Sequence, residues 1–484
     1  MTEHVPLVVI GAGFGGIGLA VKLRAAGIED FVLLERTGDL GGTWSRNTYP
    51  GAACDVPSAL YSYSFAPNPG WSRKYGTRAE ILEYLRRTAH EHDVVRHMRF
   101  GIELRSASFD EASHRWRLST DRGELTTDVL VSAVGAFAEA AIPDLRGLPA
   151  FEGTMFHSLH WDHDHDLTGE RVAVIGTGAS AVQFIPRIQP HVRDLVVFQR
   201  TPAWIVPRSD RAITTVEKLA YRHFPLAQRA TRGFWYAGIE SFGLPGFVDA
   251  RLRHPFELLG RFQLRRQVRD RDLRRTLTPD YMIGCKRAIF SDDYYPALCQ
   301  DNVTVETRGI AHIRPHAIVT RDGVEHPVDT IIFGTGFTAL PSLAGAVKGT
   351  DGRTIADRYD ERPQSYLGVA NAGFPNMFTI LGPFGAAGNQ SAIFMIESQI
   401  GYIVDAVTRI RRERIRRAEV RSDAQRTFVD EMHSKARNGT WLTGGCTSYY
   451  TTGQGMNAGL YPNWSFEYRR RTHRWDAGNY EVTR

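Results

Sequence analysis

The sequence predicts an α/β protein that consists of two Rossmann-like dinucleotide-binding domains with a helical insertion. Three observations lead to this fold class. A strand-like run, Leu7–Ile10, precedes Gly11, Gly13 and Gly16. A second run, Arg171–Ile175, precedes a similar segment that opens another helix-compatible stretch. A long region rich in arginine and aromatic residues has helical spacing and few strand signals, which indicates the insertion.

Each glycine pattern has the form that a bound pyrophosphate requires. In the first, Gly11 permits a tight turn, Gly13 lets the backbone approach the pyrophosphate, and Gly16 lets the helix pack on the strand. The helix N-terminus then presents free N–H groups to the phosphates. The second pattern consists of Gly176, Thr177, Gly178, Ala179 and Ser180. A glycine turn that binds nothing is the alternative, but the flanking strand and helix favour a nucleotide site in both places.

The next strand in each unit distinguishes the two ligands. The run Phe31–Glu35 ends in a carboxylate, which accepts hydrogen bonds from a ribose 2′-hydroxyl and repels a 2′-phosphate. This favours FAD or NAD in the first domain. The corresponding strand of the second domain is followed by Arg200 and Thr201, and a guanidinium suits the 2′-phosphate of NADPH. A solvated strand end is the alternative for Arg200.

The composition is typical of an enzyme with two or three domains in a reducing cytoplasm. The chain has 484 residues, and no apolar run approaches the roughly 20 residues of a membrane span. We expect no signal peptide, because the first strand begins within a few residues of Met1. Cys54, Cys285, Cys299 and Cys446 lie far apart in sequence, so we expect neither a redox dithiol nor a disulfide framework.

The net charge of +6 comes largely from arginine-rich stretches at residues 261–269 and 409–417. We interpret both stretches as solvated helix faces. Contact with a membrane surface or with nucleic acid is the alternative. Aromatic residues are not interleaved as a nucleic-acid site requires, so no nucleic-acid partner is expected.

The pattern of strands and helices predicts five segments. Residues 1–140 form the first part of one nucleotide domain, and residues 141–208 the first part of the other. Residues 209–280 are the helical insertion, and residues 281–376 complete the second domain. Residues 377–484 return to the first domain, with a helix from Ser391 to about Ile410.

These motifs together resemble the type I Baeyer–Villiger monooxygenases over nearly the whole chain. The fingerprint of that family is matched at each of its fixed positions by Phe151, Gly153, His157, Trp161 and Asp162. Further similar stretches run from Gly41 to Asp55, from Gly284 to Pro296, from Gly444 to Tyr450 and from Arg469 to Asp476. The related flavin monooxygenases that oxidise nitrogen and sulfur usually lack the Trp-Asp ending, so Trp161 and Asp162 favour the Baeyer–Villiger side.

The resemblance implies an enzyme that binds FAD and NADPH and inserts an oxygen atom from O2 beside a ketone. The reduced flavin of the family forms a C4a-peroxide that must stay deprotonated. Arg287 is implied as the cation that stabilises this anion, and Asp55 as the carboxylate that orients the guanidinium. Lys286 would bind the NADPH 2′-phosphate with Arg200 and Thr201. Without the resemblance, Lys286 and Arg287 would be interpreted as a surface basic pair.

The remaining FAD residues implied by the resemblance, besides the first glycines, Glu35 and Asp55, are Gly42, Thr43, Trp44 and Tyr61. His157 belongs to a segment rich in histidine and aspartate, which invites a metal interpretation. The spacing matches no known ligand pattern, so we expect no metal. The resemblance makes this segment a linker between the two domains, with His157 structural or conformational.

Two regions depart from the family, and they concern the substrate pocket. Residues 382–391 lack the Gly-Pro-Asn-Thr type of run with a histidine that many members have, and Tyr449-Tyr450 replaces a commoner Trp-Tyr. Three functions therefore remain: ketone oxidation to esters or lactones, oxidation of sulfides or amines, and a redox sensor or interaction protein that has lost turnover. Intact Asp55, Lys286 and Arg287 argue against the third. The sequence leaves the ketone and the oligomeric state open.

Overall fold

The computed structural model describes residues 2–338, 340, 343–452 and 454–484. The first region begins with the predicted alternation of strand, glycine turn and helix. Its elements are β1 (Glu3–His4), β2 (Leu7–Ile10), α1 (Phe14–Ala25), β3 (Phe31–Glu35), α2 (Thr43–Arg46), α3 (Arg78–Glu91), β4 (Met98–Phe100), β5 (Leu104–Asp110), β6 (Arg115–Thr120), β7 (Gly123–Thr127) and β8 (Val129–Ser132).

The second region contains another strand, glycine turn and helix, interrupted by helices. Before the interruption lie β9 (Thr154–His157), β10 (Arg171–Ile175), α4 (Ala179–Ile188), β11 (Asp194–Phe198) and β12 (Ile205–Val206). The insertion is α5 (Thr215–His223), α6 (Pro225–Val248), α7 (His254–Gln267) and α8 (Arg271–Thr276). After it come β13 (Ile289–Phe290), α9 (Tyr294–Leu298), β14 (Val303–Glu306), β15 (Ile310–Arg314), β16 (Ala317–Thr320), β17 (Glu325–Pro327) and β18 (Thr330–Phe333).

The last region is mainly helical. It contains α10 (Leu343–Ala346), β19 (Val347–Lys348), α11 (Ile355–Glu361), β20 (Met377–Thr379), α12 (Ala392–Arg412), β21 (Arg417–Val420), α13 (Ser422–Ala436), α14 (Thr440–Thr443), α15 (Ser465–Arg471) and β22 (Tyr480–Thr483). Short 3-10 turns lie at Val95–His97, Leu148–Ala150, Ser158–His160, Ala250–Arg253 and Ala477–Asn479. None of the described helices combines the length and the apolar character that a membrane span requires.

Two parallel sheets form the centre of the molecule. The first has the strand order β20-β8-β2-β3-β4, and the second has the order β14-β11-β10-β18-β9. The central strands β2 and β10 are almost entirely buried, because helices cover one face of each parallel sheet and antiparallel strands, β5–β7 or β15–β17, pack on the other. In such folds, ligands bind beyond the carboxyl ends of the strands, where both glycine turns lie. The predicted α/β class, with two dinucleotide-binding folds and a helical insertion, is confirmed.

The segment limits remain a prediction, and one strand pair differs from them. β19 pairs with β5, so residues 347–348 already lie against a sheet of the first region, earlier than the return predicted at residue 377. The predicted helix from Ser391 is present as α12, and it packs on α1 in the largest apolar core. The arginine stretch 409–417 is not one helix as predicted. Arg414 has a φ of +53°, and Arg417 already belongs to β21.

Candidate active site

The first glycine turn is shaped by backbone contacts that leave no space for side chains. Gly11 has a φ of +102°, and a Cβ there would lie 2.8 Å from the carbonyl oxygen of Ala133. A Cβ on Gly16 would lie 1.9 Å from the carbonyl oxygen of Gly11. The turn is therefore a backbone surface, and α1 begins at Phe14 with no side chain capping its first N–H groups.

Glu35 connects the end of β3 to this turn. Its Oε2 accepts a hydrogen bond from the Ala12 N–H at 2.9 Å, and its Oε1 accepts from the Thr37 N–H at 2.9 Å. The side chain is buried and makes no ion pair with any described residue. A carboxylate held in this way presents its remaining lone pairs to a hydroxyl group.

The other residues predicted for FAD come together beside the first turn. Gly42 precedes the short helix α2, which begins at Thr43, and a Cβ on Gly13 would lie 3.6 Å from the Gly42 Cα. The Trp44 indole N–H donates to the Tyr61 hydroxyl at 3.1 Å. Burial raises the pKa of Tyr61 well above its ordinary value, so this phenol stays protonated.

The second glycine turn repeats the first. A Cβ on Gly176 would lie 2.5 Å from the carbonyl oxygen of Gly334. Gly178 precedes α4, which starts with Ala179 and Ser180, and no side chain caps it. The Thr177 hydroxyl donates to the Thr201 carbonyl at 3.2 Å, which ties this turn to the segment that follows β11.

Two cations lie near each other beside the second turn. Arg200 follows β11 and is exposed, and Lys286 lies close enough for the two charges to interact. Burial, and then the positive charge of Arg200, lower the pKa of Lys286 below its ordinary value of 10.5, while Asp280 partly opposes them. Two neighbouring cations with so little negative charge beside them form a site that favours an anion.

Arg287 and Asp55 form a bidentate ion pair. The Arg287 Nε donates to one carboxylate oxygen of Asp55 at 2.8 Å, and the Nη2 donates to the other at 2.8 Å. The charge of Asp55 raises the pKa of Arg287 well above its ordinary value, although burial opposes this effect. The side chain of Arg287 is 37% exposed, so a fixed cation remains accessible from the open side.

The loop that carries Asp55 is clamped by the second region. The Gln183 amide donates to the Ala53 carbonyl at 2.9 Å, and the Arg208 guanidinium donates to the Cys54 carbonyl at 3.1 Å. Burial raises the pKa of the Cys54 thiol, so this neighbour of Asp55 stays neutral. Gln183 and Arg208 are not among the site residues predicted from the sequence. Neither position carries a local signal, because both clamps depend on how the two regions pack.

Cys285 and Cys446 form a disulfide, which corrects the prediction that no disulfide would be present. They lie 161 residues apart in sequence, and such a separation carries no pattern. The Met282 N–H also donates to the Gly444 carbonyl at 2.9 Å. The bond therefore fastens the turn that bears Lys286 and Arg287 to the segment that leads to Tyr449 and Tyr450.

Tyr449 and Tyr450 lie beside Arg287, with their hydroxyl groups 3.1 Å apart.

The helical insertion contacts the segment that departs from the family, residues 382–391. Glu240 on α6 is buried and accepts from the side chains of Asn389 at 3.3 Å and Gln390 at 3.0 Å. The unusual segment 382–391 is thus held by the helical insertion. No motif marked Glu240 in the sequence.

The fingerprint residues lie just before the edge strand β9, at its end and in the turn that follows it. Phe151 is buried, a Cβ on Gly153 would lie 2.2 Å from the Asp329 carbonyl oxygen, and Trp161 packs on Phe156 and Phe184. The Asp162 carboxylate accepts from the Asp164 N–H at 3.0 Å.

His157 is buried at the end of β9, and burial lowers its pKa from 6.5 to about 4, so the ring is neutral. Its Nδ1 accepts a hydrogen bond from the Leu159 N–H at 3.0 Å, which fixes the ring in the following turn. Within the described part of the chain, no three His, Cys, Asp or Glu side chains are grouped to hold a metal ion.

Comparison with known proteins gives concordant results. A family model described as pyridine nucleotide-disulphide oxidoreductase matches residues 8–214. A Baeyer-Villiger monooxygenase of Streptomyces coelicolor is 45% identical, with 100% of this chain and 93% of the relative covered. One of Pseudomonas aeruginosa is 42% identical, with coverages of 99% and 92%.

Solved structures show the same likeness. A steroid monooxygenase bound to NADP superposes with a TM-score of 0.87 at 28% identity, with 99% of each chain covered. A cyclohexanone monooxygenase from Rhodococcus bound to NADP+ superposes with a TM-score of 0.87 at 29% identity, with both chains fully covered. A cyclohexanone monooxygenase with epsilon-caprolactone bound gives a TM-score of 0.87 at 28% identity, again with both chains fully covered.

Proposed function

Because the chain belongs to the Baeyer–Villiger monooxygenases, we propose which of its residues carry out the reaction of that family. The enzyme depends on FAD and NADPH and inserts one oxygen atom of O2 next to a ketone carbonyl, which gives an ester or a lactone. FAD, when bound, takes electrons from NADPH and makes oxygen reactive toward the ketone. The residues of this chain bind, orient and hold charge around that chemistry.

The first glycine turn and its neighbours fit FAD. Gly11 and Gly16 leave the backbone of this turn open, and the pyrophosphate needs that open backbone surface. A side chain at either position would close it. Glu35 would accept a hydrogen bond from the adenosine ribose. Trp44 and Tyr61, joined by their hydrogen bond, would pack beside the ring system and limit the access of water.

The second turn fits NADPH. The first N–H groups of α4 would bind the pyrophosphate, as the N-terminus of a helix does generally. Arg200, Thr201 and Lys286 would bind the 2′-phosphate, because a dianion between the two cations offsets the repulsion that lowers the pKa of Lys286. NADH lacks this phosphate, so the same residues favour NADPH.

The observation that carries the proposal is the bidentate pair of Arg287 and Asp55. Negative charge develops on oxygen during the insertion, and a cation fixed beforehand stabilises that charge without having to reorganise. Asp55 holds the guanidinium plane in one orientation and keeps it charged at any working pH. We assign Arg287 as the catalytic cation and Asp55 as its positioning residue.

The function is tested by the cofactor content and the fate of oxygen. The purified holoenzyme should release FAD rather than FMN. With a panel of cyclic, linear and aryl ketones under ¹⁸O₂, NADPH consumption should yield an ester or lactone with one ¹⁸O atom, detected by mass spectrometry. A sulfide in the same assay tests heteroatom oxidation. NADPH consumption that no ketone or sulfide stimulates, with only hydrogen peroxide as product, would contradict the assignment.

We also propose a cytoplasmic location, supported by the composition of the chain. The disulfide between Cys285 and Cys446 is unusual for a reducing compartment, so cell fractionation is the direct test.

A further inference from the structure

The helical insertion exposes an unusual number of large apolar side chains. Among the described residues, nine of the sixteen large hydrophobic side chains that are exposed lie between positions 216 and 262. Single exposed apolar residues are ordinary, but a concentration of them in one element marks an interaction surface. The densest group is on and beside α7: Leu252, Leu258, Leu259 and Phe262, which are between 44% and 61% exposed.

One side of α7 packs on the protein and the other side is exposed. Its inner side packs on the second region: a Cβ on Gly260 would lie 2.8 Å from the Trp204 ring, and the Gln263 amide donates to the Ser291 carbonyl at 2.6 Å. At about 100° per residue, its outer side is an arc of about 160°. The outer residues are Leu258, Leu259, Arg261, Phe262, Arg265 and Arg266. Leu258, Phe262 and Leu259 together cover about 100° of this arc, Arg261 and Arg265 lie beside them, and Arg266 follows Phe262 one turn further along the helix.

The series of arginines on α7 continues into α8. Residues 261–275 contain seven arginines and two aspartates, so this stretch contributes +5 of the chain's net +6. A cavity of about 220 Å³ lies between the two helices, lined by Arg261, Leu264, Arg265, Arg271, Arg274, Arg275 and Thr278. Asp272 pairs with Arg275 at 3.2 Å. No described carboxylate lies within ion-pair distance of Arg261, Arg265 or Arg271.

We propose that this α7–α8 face, residues 252–278, docks on the surface of an anionic phospholipid bilayer. Leu258, Leu259 and Phe262 of α7 would enter the boundary between headgroups and acyl chains. The arginines would bind lipid phosphates, and one of these phosphates would enter the cavity. One helix that exposes large apolar side chains beside arginines that form no ion pair with a described carboxylate matches a bilayer, in which acyl chains lie directly beneath phosphates. The proposal is independent of the ketone chemistry, since it concerns binding alone.

The face lies close to the reaction centre. Glu257 on the inner side of α7 accepts from the Ile283 N–H at 3.3 Å, and Ile283 precedes the Lys286–Arg287 turn. The Trp204 indole N–H, beneath the same helix, donates to the Tyr281 carbonyl at 2.9 Å. A bilayer bound here would hold the enzyme with this turn near the lipid, where apolar ketones concentrate.

The test is flotation of the holoenzyme with phosphatidylcholine vesicles, with and without phosphatidylglycerol, at low and high salt. We expect binding to the anionic vesicles and weakening by salt. Leu258→Ala with Phe262→Ala should lower the partition coefficient at least tenfold. Arg265→Ala and Arg271→Ala should each lower it about fivefold. The matched control is Phe466→Ala with Arg470→Ala on α15, an exposed pair elsewhere that should leave binding unchanged.

Each variant must keep its FAD content and melting temperature, so that a lost fold is not mistaken for lost docking. Equal binding to neutral and anionic vesicles, or equal losses in the control, would overturn the proposal. So would inorganic phosphate that raises the melting temperature through Arg271 without any vesicle binding, which would indicate a soluble anion. Light scattering that shows a dimer, reduced to a monomer by the α7 variant, would instead assign the face to a second copy.

Discussion

Replacing Arg287 by alanine should separate the reduction of the enzyme from the oxygenation of the ketone. The variant loses two hydrogen bonds of 2.8 Å to Asp55 and the one cation that this pair fixes. Removing a preorganised group that stabilises developing negative charge costs roughly 10²- to 10³-fold in rate, or about 2.7–4 kcal/mol. The NADPH residues are unchanged, so the rate of flavin reduction should fall much less than the rate of ester formation.

The assay follows both steps in one preparation. Stopped-flow absorbance measures reduction by NADPH, and product analysis compares ester with hydrogen peroxide. We expect peroxide to replace ester. Asp55→Asn should cost less than Arg287→Ala, because an amide oxygen can still accept one hydrogen bond while the cation remains. Arg287→Lys should rescue poorly, since a point charge cannot match the two carboxylate oxygens.

Arg117→Ala is the matched control, because it removes an exposed arginine that pairs with Asp110 at 2.6 Å far from the site. It should leave both rates at the wild-type value. If Arg287→Ala formed ester at the wild-type yield, with FAD bound and the fold intact, the catalytic cation would lie elsewhere and the reasoning would be refuted.

Four further outcomes are expected. Arg200→Ala should raise the KM for NADPH about ten- to a hundredfold and leave the KM for NADH almost unchanged in steady-state assays; equal damage to both coenzymes would remove Arg200 from this role. Because the pKa of Lys286 is lowered, the KM for NADPH should begin to rise at a pH below the ordinary lysine value of 10.5, and Lys286→Arg should abolish that rise. His157 is neutral in the fold, because its pKa is lowered from 6.5 to about 4. Its contribution to the free energy of unfolding is therefore present above pH 6.5 and is lost as the pH falls toward 4. Urea unfolding should therefore show that His157→Asn removes about 2 kcal/mol of the stability difference between pH 7 and pH 5; an unchanged difference would exclude this group. Cys446→Ser should lower the free energy of unfolding by about 2–4 kcal/mol in the same urea measurement. It should also increase peroxide release, because the disulfide no longer fastens the segment that leads to Tyr449 and Tyr450. A thiol reductant should have the same two effects on the wild-type enzyme.

The features that the sequence predicted well are those that depend on near neighbours along the chain. The runs Leu7–Ile10 and Arg171–Ile175 are strands with the predicted bounds, since a buried parallel strand needs only a short apolar run. A glycine turn follows each strand directly, and the positive φ of Gly11 (+102°) and of Gly176 (+104°) is a local backbone requirement that glycine meets. Pairing Arg287 with Asp55 came from the family resemblance, not from any local pattern.

The features that could not be predicted depend on approaches between distant segments. Nothing near Cys285 indicates that Cys446 lies beside it, and nothing near Glu240 indicates that it binds residues 389 and 390. The prediction that residues 409–417 form one helix was wrong for a local reason. Arg414 adopts a left-handed conformation that arginine rarely takes, so the run of charges gave no sign of a turn.

The clamp on the Asp55 loop has a consequence for recombining this protein with its relatives. Asp55 lies in the first region, but Gln183 and Arg208, which hold its loop, and Arg287, which it orients, all lie in the second. A chimaera that exchanges one nucleotide region for that of a homologue would therefore inherit half of this contact set. Such a hybrid could fold and bind both coenzymes while its oxygen chemistry leaks to peroxide. Crossover points would have to transfer the loop and its three partners as one unit.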